Sequence, residues 1–176
     1  MGLIICGMNG SGKSTLGRAL AEALGWRFID NEDLYFPKAD PDHPFAAQRT
    51  QDEVEQLLLA EVRRDDHFVF AAVRGNHGAA VLPFYRAAVL VEVPREIRLA
   101  RIRQRSLDRF GARALPGGDQ YEAEQRFFGM AAARPEDDAS RWLDGLNIPV
   151  LRVDGTLPAG ENADRLIRWL AQLHML

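Results

Sequence analysis

The sequence predicts an α/β fold in which helices cover both faces of a parallel β-sheet. Short apolar runs with the character of buried strands alternate with segments whose apolar residues recur at helical spacing. A glycine-rich turn also stands directly between the first apolar run and the first helical segment. Both observations are typical of sheets built from strand–helix–strand units.

Five apolar runs predict the strands of the sheet. The first run is stopped by a glycine, and the second ends at the acidic segment Asp30–Asp33. The predicted strands are Leu3–Cys6, Trp26–Ile29, His67–Val73, Ala87–Val93 and Pro149–Val153. The length of 176 residues suits one domain with a core of two or three layers.

Capping signals mark where several helices begin. The first helix is expected to begin near Lys13, and Thr50 with Glu53 forms a capping box that opens another. Asp119 and Glu122 repeat that capping pattern further along the chain. We therefore expect a helix after each of these points.

Two further helices and two connections complete the expected organisation. Pro94 suits the first turn of a helix that runs to about Arg109, and the apolar stripe over Ala163–Leu173 predicts the last helix. The proline-rich stretch Phe36–Pro44 is expected to be a loop. Gly111–Gly118 is expected to be a mobile connection.

Composition excludes several classes of protein. The chain is 47% hydrophobic and 27% charged, with a formal net charge of −3, which argues against disorder and gives no reason to expect nucleic-acid binding. No apolar run approaches the roughly 18 residues of a membrane span, and no signal peptide is recognisable. A single cysteine, Cys6, cannot form an internal disulfide, so the cytoplasm is the expected location.

The segment Gly7–Ser14 carries the strongest functional signal. It fits the pattern G-x-x-x-x-G-K-[ST] in full, directly after a predicted strand and before a predicted helix. Glycines let backbone amides face phosphate oxygens, and the helix adds its positive dipole end. Lys13 is expected to reach the β- and γ-phosphates of a nucleotide, and Ser14 to ligate Mg²⁺. The expected nucleotide-binding residues are Gly7, Asn9, Gly10, Ser11, Gly12, Lys13, Ser14 and Thr15.

Acidic residues follow the second predicted strand, whose end should lie beside the phosphate loop. Asp30 stands at the strand end and is expected to hold Mg²⁺ or to accept a proton from an attacking hydroxyl. Glu32 is a further candidate, and Asp33 is assigned to acceptor binding. A solvated acidic run that caps the next segment is the alternative for each.

Arginines lie along one face of the helix that follows the fourth predicted strand. Arg98, Arg101, Arg105 and Arg109 follow one another at intervals of three, four and four residues. Like charges at this spacing cost about 0.2–0.5 kcal/mol per pair, which an anionic partner would offset. Arg101 and Arg105 are expected to bind the nucleotide, and Arg105 and Arg109 to stabilise charge in the transition state. A solvated basic face is the alternative.

A polar segment follows the third predicted strand, at the edge where ligands of such sheets bind. Arg74 would suit an anionic acceptor, and Asn76 or His77 could form a hydrogen bond with it. A plain loop role is equally open for each of these residues.

These residues together resemble the small P-loop kinases, the group of shikimate kinases and nucleoside-monophosphate kinases, over nearly the whole chain. Phe28–Glu32 is similar to the acidic motif that shikimate kinases carry after the second strand. Leu90–Pro94 and the arginine-rich helix after it are similar to their fourth strand and the approach to their lid. Ala131–Pro135 is similar to the segment after the lid, where an arginine binds substrate, so the resemblance assigns Arg134 to the acceptor.

The resemblance implies a three-layer α/β/α P-loop fold over residues 1–176, with a five-stranded sheet in the order 2-3-1-4-5 and a helical lid over about 101–134. It also implies transfer of the γ-phosphoryl group of ATP, with Mg²⁺, to a small-molecule acceptor, and places Asp154–Thr156 along the adenine. The acceptor itself is left open, because Arg74–Asn76 stands where shikimate kinases have a triple glycine.

Two other interpretations stay open at this point. One is an NTPase whose hydrolysis drives a conformational change. The third strand runs into Arg74 rather than the Asp of a Walker B motif, but the fourth strand offers Glu92. The other is a nucleotide-binding regulator without turnover, against which the intact Lys13, Ser14 and Asp30 count.

Overall fold

The structure, a computed structural model, describes residues 1–37, 47–65 and 67–176. Within these ranges it contains one parallel sheet of five strands. Most of the loop expected over Phe36–Pro44 lies outside the described residues.

The strand order confirms the expected topology. The strands are β1 (Gly2–Cys6), β2 (Arg27–Asp30), β3 (Phe68–Ala72), β4 (Tyr85–Glu92) and β5 (Val150–Asp154). Their spatial order is β2-β3-β1-β4-β5, and every neighbouring pair is parallel. Because β1 is central and fully buried, its carboxyl end opens at the middle of the sheet edge.

Seven α-helices lie in the described ranges. They are α1 (Lys13–Leu24), α2 (Asn31–Tyr35), α3 (Gln51–Arg64), α4 (Arg95–Phe110), α5 (Tyr121–Ala133), α6 (Asp138–Asp144) and α7 (Ala159–Gln172). The sequence does not predict α2 and α6, because five and seven residues are too few to show helical periodicity. Across this part of the chain, no helix is both long and apolar enough to cross a membrane.

Two apolar cores flank the sheet. On one face, α2, α3 and α6 pack against the strands through residues that include Leu34, Leu58 and Leu143. On the other face, α1 and α7 pack through residues that include Leu20 and Leu166. Alternate residues of each strand point to opposite faces, so the same strands supply both cores. The three-layer α/β/α arrangement is therefore confirmed.

One of the two expected capping boxes forms and the other does not. At α3, Thr50 accepts a hydrogen bond from the Glu53 backbone N–H, and the Glu53 carboxylate accepts one from the Thr50 N–H. The capping box expected at Asp119 is wrong. Asp119 accepts two hydrogen bonds from the Arg113 guanidinium, at 2.9 and 2.7 Å, and α5 begins at Tyr121. Two charge-assisted hydrogen bonds are worth more to a carboxylate than one backbone amide.

Backbone hydrogen bonds organise the connection after α4, which the sequence suggests to be mobile. Gly111–Ala114 forms a 3₁₀-helix. The Gly118 N–H then donates to the Leu115 carbonyl at 2.8 Å, and the Gln120 N–H to the Arg113 carbonyl at 3.0 Å. The segment therefore joins α4 to α5 through defined turns.

His77 is buried in the core rather than exposed at the sheet edge. The residue is 3% exposed, and its ring packs edge-on against Phe70 with the ring centroids 5.6 Å apart. Its Nδ1 lies 3.4 Å from the side-chain nitrogen of Gln51, and its Nε2 has no hydrogen-bond partner among the described residues. Burial lowers the pKa of His77 to about 4.

The lowered pKa of His77 predicts an acid-sensitive fold. The unfolded chain takes up the histidine proton near pH 6.5, whereas the folded chain resists it down to about pH 4. The neutral ring therefore supports stability above about pH 6.5, and this support is lost as the pH falls toward 4. Between pH 7 and 4.5 we expect His77 to remove about 2 kcal/mol from the free energy of unfolding.

Urea unfolding at the two pH values tests this prediction. His77→Asn keeps a side chain that can hydrogen-bond to Gln51 but does not titrate. The variant should lose about 2 kcal/mol less than the wild type on acidification. An equal loss in both proteins would contradict the prediction.

Candidate active site

The phosphate loop occupies the carboxyl end of β1. Gly7 follows the last residue of the strand, and α1 begins at Lys13. Gly10 and Gly12 have φ angles of +81° and +88°, a conformation that residues with a Cβ rarely adopt. Gly12 is the N-cap of α1 and brings no side chain to accept from the first-turn N–H groups. These amides, at the positive end of the helix, are available to an anion.

The loop packs closely against α4 and β4. A Cβ on Gly10 would lie 2.4 Å from the Arg98 carbonyl oxygen, and a Cβ on Gly7 would lie 2.9 Å from the Val91 carbonyl oxygen. Glycine is therefore required at both positions by the approach of other backbone segments, and not only by the turn of the loop.

The buried side chain of Arg98 stabilises this packing from inside the protein and is not exposed to a ligand on the loop. The residue is 1% exposed. Its guanidinium donates to the carbonyls of Asn9 and Val93, each at 3.2 Å, and to the Glu136 carboxylate at 2.6 Å. The expectation that Arg98 shares an anion-binding face with the later arginines is corrected, because the first turn of α4 lies directly against the phosphate loop.

Lys13 is the central cation of a cavity of about 190 Å³. The cavity is lined by Gly10, Gly12, Lys13, Ser14, Thr15, Arg101, Ile102 and Arg105. Burial lowers the pKa of the Lys13 ammonium below its ordinary value. The nearby carboxylates of Asp30 and Glu32 act in the opposite direction, while the Arg105 charge adds to the lowering. The structure thus gathers both signs of charge around Lys13.

The donors of this cavity fit a triphosphate. Backbone amides, the Lys13 ammonium and the Ser14 hydroxyl surround it, and the Ser11 hydroxyl is buried without a hydrogen-bond partner among the described residues. Nowhere in the described ranges do three His, Cys, Asp or Glu side chains cluster as a metal site. A magnesium ion held by Ser14 would therefore take most of its ligands from phosphate oxygens and water.

Asp30 and Asp33 differ in how the structure uses them. Asp30 is the last residue of β2, is 9% exposed, and caps α2 by accepting from the Glu32 N–H at 3.1 Å. Its other carboxylate oxygen lies 3.2 Å from Nη2 of Arg18. Asp33 is exposed, and its backbone carbonyl accepts a hydrogen bond from Arg49 at 3.3 Å. The Asp30 carboxylate is therefore held rigidly beside the loop.

The arginines of α4 beyond Arg98 do face the cleft. Arg101 donates to the Gly155 carbonyl at 3.0 Å, and Arg105 lines the Lys13 cavity. Arg109 lies 3.7 Å from the Glu32 carboxylate on the opposite wall. Arg101, Arg105 and Arg109 thus lie on successive turns of α4. They line a cleft that extends from the Gly155 turn on the β5 side to Glu32 on the β2 side.

Asp154–Thr156 lies along the phosphate loop at the β5 side. A Cβ on Gly155 would lie 2.7 Å from the Ser11 carbonyl oxygen. The Asp154 carboxylate accepts hydrogen bonds from the Thr156 N–H and hydroxyl, at 2.8 and 2.7 Å, and these bonds lower the pKa of Asp154. The turn is therefore rigid and close to any nucleotide on the loop.

A second cavity, of about 310 Å³, adjoins the first at Arg105. It is lined by Glu32, Phe36, Gln48, Arg105, Ser106, Arg109, Phe110, Ala123, Glu124, Arg126 and Phe127. Its walls come from α2, the second half of α4 and the first half of α5. A molecule in this cavity would lie next to Arg105 and the phosphate cavity.

Arg74 and Arg134 meet at a residue that the sequence does not single out. Asp138 accepts from Arg74 at 2.6 Å and from Arg134 at 3.1 Å. Asn76, by contrast, is exposed, and its backbone carbonyl lies 3.4 Å from the side-chain nitrogen of Gln51. In the sequence, Asp138 belongs to an acidic run that directly follows Arg134 and Pro135. Sequence reasoning gives no ground for choosing Asp138 over the other two acids of this run.

Glu92, the residue that kept the NTPase interpretation open, is held by an arginine of the neighbouring strand. It pairs with Arg152 at 2.8 Å, across the β4–β5 pair at the sheet edge. Among the described residues it does not line the Lys13 cavity. Its position therefore gives no support to a Walker B role.

Comparison with known proteins places these features in a family. The family model described as AAA domain matches residues 3–112, more than half of the chain. The chain belongs to the AAA domain family. The matched residues include the phosphate loop, Asp30 and the arginines of α4.

Named relatives agree with the resemblance to small P-loop kinases and confirm it. An uncharacterized protein of Bacillus subtilis (strain 168), YqaC, is 26% identical over 95% of this chain and 96% of its own length. A shikimate kinase of Thermosynechococcus vestitus is 29% identical over 73% of this chain and 76% of that protein. The crystal structure of a gluconokinase from Sinorhizobium meliloti 1021 shares the fold, with a TM-score of 0.56 at 19% identity, over 98% of this chain and 92% of that one.

The buried position of Arg98 makes a prediction about stability. Arg98→Met should lower the free energy of unfolding by about 2–3 kcal/mol, because two loop carbonyls and one carboxylate lose their donor. Arg95 is the matched control, since it is half exposed, lies 3.8 Å from the same Glu136, and donates its one backbone hydrogen bond, to the Ala132 carbonyl, at the exposed surface. Arg95→Met should change stability by less than about 0.5 kcal/mol. Denaturant unfolding of both variants checks the difference, and equal effects would contradict it.

Proposed function

We propose that this protein transfers the γ-phosphoryl group of ATP, in the presence of Mg²⁺, to a hydroxyl group of a small-molecule acceptor. The observation that carries the proposal is the cavity around Lys13, which the phosphate loop and Arg105 line and whose lysine lies within the electrostatic influence of the Asp30 carboxylate. The kinase names of the relatives support the same reaction class. The second cavity adjoins this one at Arg105 and leaves further space beside a phosphoryl group bound there.

The phosphate loop would hold the donor nucleotide. Gly7, Asn9, Gly10, Ser11, Gly12 and Thr15 would supply the backbone and hydroxyl cradle, and Lys13 would bind the β- and γ-phosphates. Mg²⁺, when bound through Ser14, would neutralise charge on these oxygens. The adenine would lie beside Asp154–Thr156, which Arg101 already contacts.

Asp30 would orient the acceptor hydroxyl, accept its proton, or hold a magnesium-bound water. The Glu32 N–H and the Arg18 guanidinium fix the two oxygens of its carboxylate. A carboxylate fixed in this way keeps its orientation when the acceptor arrives, which is what positioning for in-line transfer requires.

Arg105 and Arg109 would stabilise the charge that develops on the transferred group. They belong to the region 101–134, which covers the rest of α4, the 3₁₀-helix and α5. We propose that this region acts as a lid, whose closure would exclude water from the transfer. Asp33, Arg74, Asn76 and Arg134 are the candidates for contact with the acceptor.

Release of ADP with pooled acceptors tests the proposed reaction. Mg-ATP is incubated alone and with pools of nucleosides, nucleoside monophosphates, shikimate and other hydroxy acids. Turnover should rise with one pool only. Turnover that is equal with and without acceptors would favour an NTPase, and tight ATP binding without any turnover would count against both enzymes.

Two variants assign roles within that assay. Lys13→Ala should lower kcat by at least about 100-fold, because it removes the central cation of the transition state. Asp30→Asn should lower kcat strongly while the Kd for ATP stays within about twofold, because the acceptor step and not nucleotide binding depends on it. A parallel loss of ATP affinity in Asp30→Asn would contradict the assigned role.

The arginines of α4 offer a matched pair. Arg105 lines the phosphate cavity, whereas Arg103 lies over the Phe128 ring, 4.2 Å from its centroid, on α5. Arg105→Gln should lower kcat/KM by at least about tenfold. Arg103→Gln should leave it nearly unchanged, and an equal effect of the two would show that only the general basic charge of the helix matters.

A further inference from the structure

Two guanidinium groups contact one carboxylate, one of them from a neighbouring residue and the other from a distant segment of the chain. Arg74 follows β3, Arg134 ends α5, and Asp138 begins α6. Nη1 of Arg74 lies 2.6 Å from Oδ1 of Asp138, and Nη1 of Arg134 lies 3.1 Å from its Oδ2. The Asp138 side chain is 13% exposed, so the carboxylate is largely enclosed between its two partners.

The sheet topology places Arg74, and with it this cluster, on the side of the phosphate loop where Asp30 lies, which we call the acceptor side. Ala72, the last residue of β3, pairs in register with Cys6, after which the phosphate loop begins. β3 lies between β1 and β2, so Arg74 is on the same side of the loop as Asp30. The opposite side belongs to β4, β5 and the Gly155 turn.

A carboxylate between two arginines is the arrangement that an acidic ligand would itself adopt. Each guanidinium presents a planar set of donors that matches one carboxylate. In this chain the place between the two cations is already filled by Asp138. A second carboxylate at that place would meet the Asp138 charge at close range and would compete for donors that Asp138 already occupies, so Asp138 offsets much of the attraction of the two cations for an anion.

The donors and acceptors of this cluster that are not used in the two ion pairs are better suited to bind hydroxyl groups than charged groups. Nη2 of Arg134 donates only to the Met130 sulfur at 3.4 Å, and Nε of Arg134 is buried without a hydrogen-bond partner among the described residues. Each oxygen of the Asp138 carboxylate has one arginine partner and still has a lone pair to accept from a hydroxyl. The cluster therefore offers donors and acceptors side by side, as an uncharged polyhydroxyl compound requires.

We propose that Asp138 sets the charge selectivity of the acceptor site, so that the enzyme favours an uncharged hydroxyl compound over one carrying a carboxylate or phosphate at this position. This inference rests on the proposed phosphotransfer. It assigns Asp138 as a specificity-determining residue, although the sequence assigns both arginines to the acceptor directly.

Anion binding tests the inference without any need for turnover. Asp138→Asn keeps the shape of the side chain and frees both guanidinium groups for an anion. Sulfate is the probe, and the Tm is measured in sulfate against sodium chloride at equal ionic strength. The Tm of the variant should rise with sulfate several degrees more than the wild-type Tm.

Two control variants make the sulfate result specific. Asp137→Asn removes the neighbouring acid, which is exposed and pairs with Arg141, and should respond to sulfate like the wild type. Asp138→Glu keeps the charge and should also respond like the wild type. A larger sulfate response of Asp138→Glu would overturn the inference even if Asp138→Asn does not fold. A sulfate response of Asp138→Asn equal to that of the wild type would overturn the inference.

Selectivity in the reaction is measured with acid and alcohol pairs that differ in one group. Gluconate is compared with sorbitol, and shikimate with the alcohol formed by reduction of its carboxylate. The kcat/KM ratio of acid to alcohol should rise at least tenfold in Asp138→Asn and stay unchanged in Asp137→Asn. The inference would be overturned if the wild type preferred the acid, if Asp138→Asn left that preference unchanged, and if Arg126→Gln removed it. Such a result would indicate that the charge of the acceptor is bound in the second cavity. Absence of turnover in every pair and in every acceptor pool would refute the proposed function, while the sulfate response would still decide the role of Asp138.

Discussion

The contact between the phosphate loop and the first turn of α4 is the constraint on which the candidate site depends. Gly10 lies so close to the Arg98 carbonyl that no side chain fits, and the Arg98 guanidinium holds the Asn9 carbonyl from the other side. The loop at the end of β1 is therefore fixed by a helix more than eighty residues further along the chain. A fixed loop keeps its amides oriented before the ligand arrives, which lowers the cost of binding an anion.

The same contact sorts the arginines of α4 into different tasks. Because the first turn lies against the loop, Arg98 is turned inward and forms hydrogen bonds with the protein's own carbonyls and with Glu136. The following turns rise above the sheet edge, so Arg101 and Arg105 reach the cleft. The row of arginines on α4 therefore contains one structural residue, Arg98, and candidate ligand-binding residues, Arg101 and Arg105. The burial of Arg98 is what distinguishes it from the other two.

Charge around the cleft is arranged in pairs rather than as a general excess. Asp30 lies against Arg18, Glu32 against Arg109, and Asp138 against two arginines. Within the described residues, neither Arg105 nor Lys13 has a carboxylate in an ion pair at 4 Å or less. Both of these cations line the cavity where a triphosphate would bind.

Much of this arrangement can be predicted from the sequence, because it is local. The phosphate loop, the strand before it and the helix after it lie within about twenty-five residues, and glycine spacing and apolar periodicity specify them directly. The position of Asp30 at the end of β2 is local in the same way. The strand order and the placement of Arg134 came from the resemblance and not from spacing, since strand pairing leaves no signal in one sequence.

The tertiary structure alone decided which long-range partners the polar residues have. The sequence places Arg98 on the same helix face as the arginines expected to bind the nucleotide and leaves Asp138 without a role. The fold buries the first and encloses the second between Arg74 and Arg134. The physical reason is the distance along the chain. Arg74 and Asp138 are 64 residues apart, and no rule of local periodicity connects them. The sequence by itself determined the fold class and the phosphate loop, whereas the pairing of charges at the acceptor side depends on how α5 and α6 pack above the sheet.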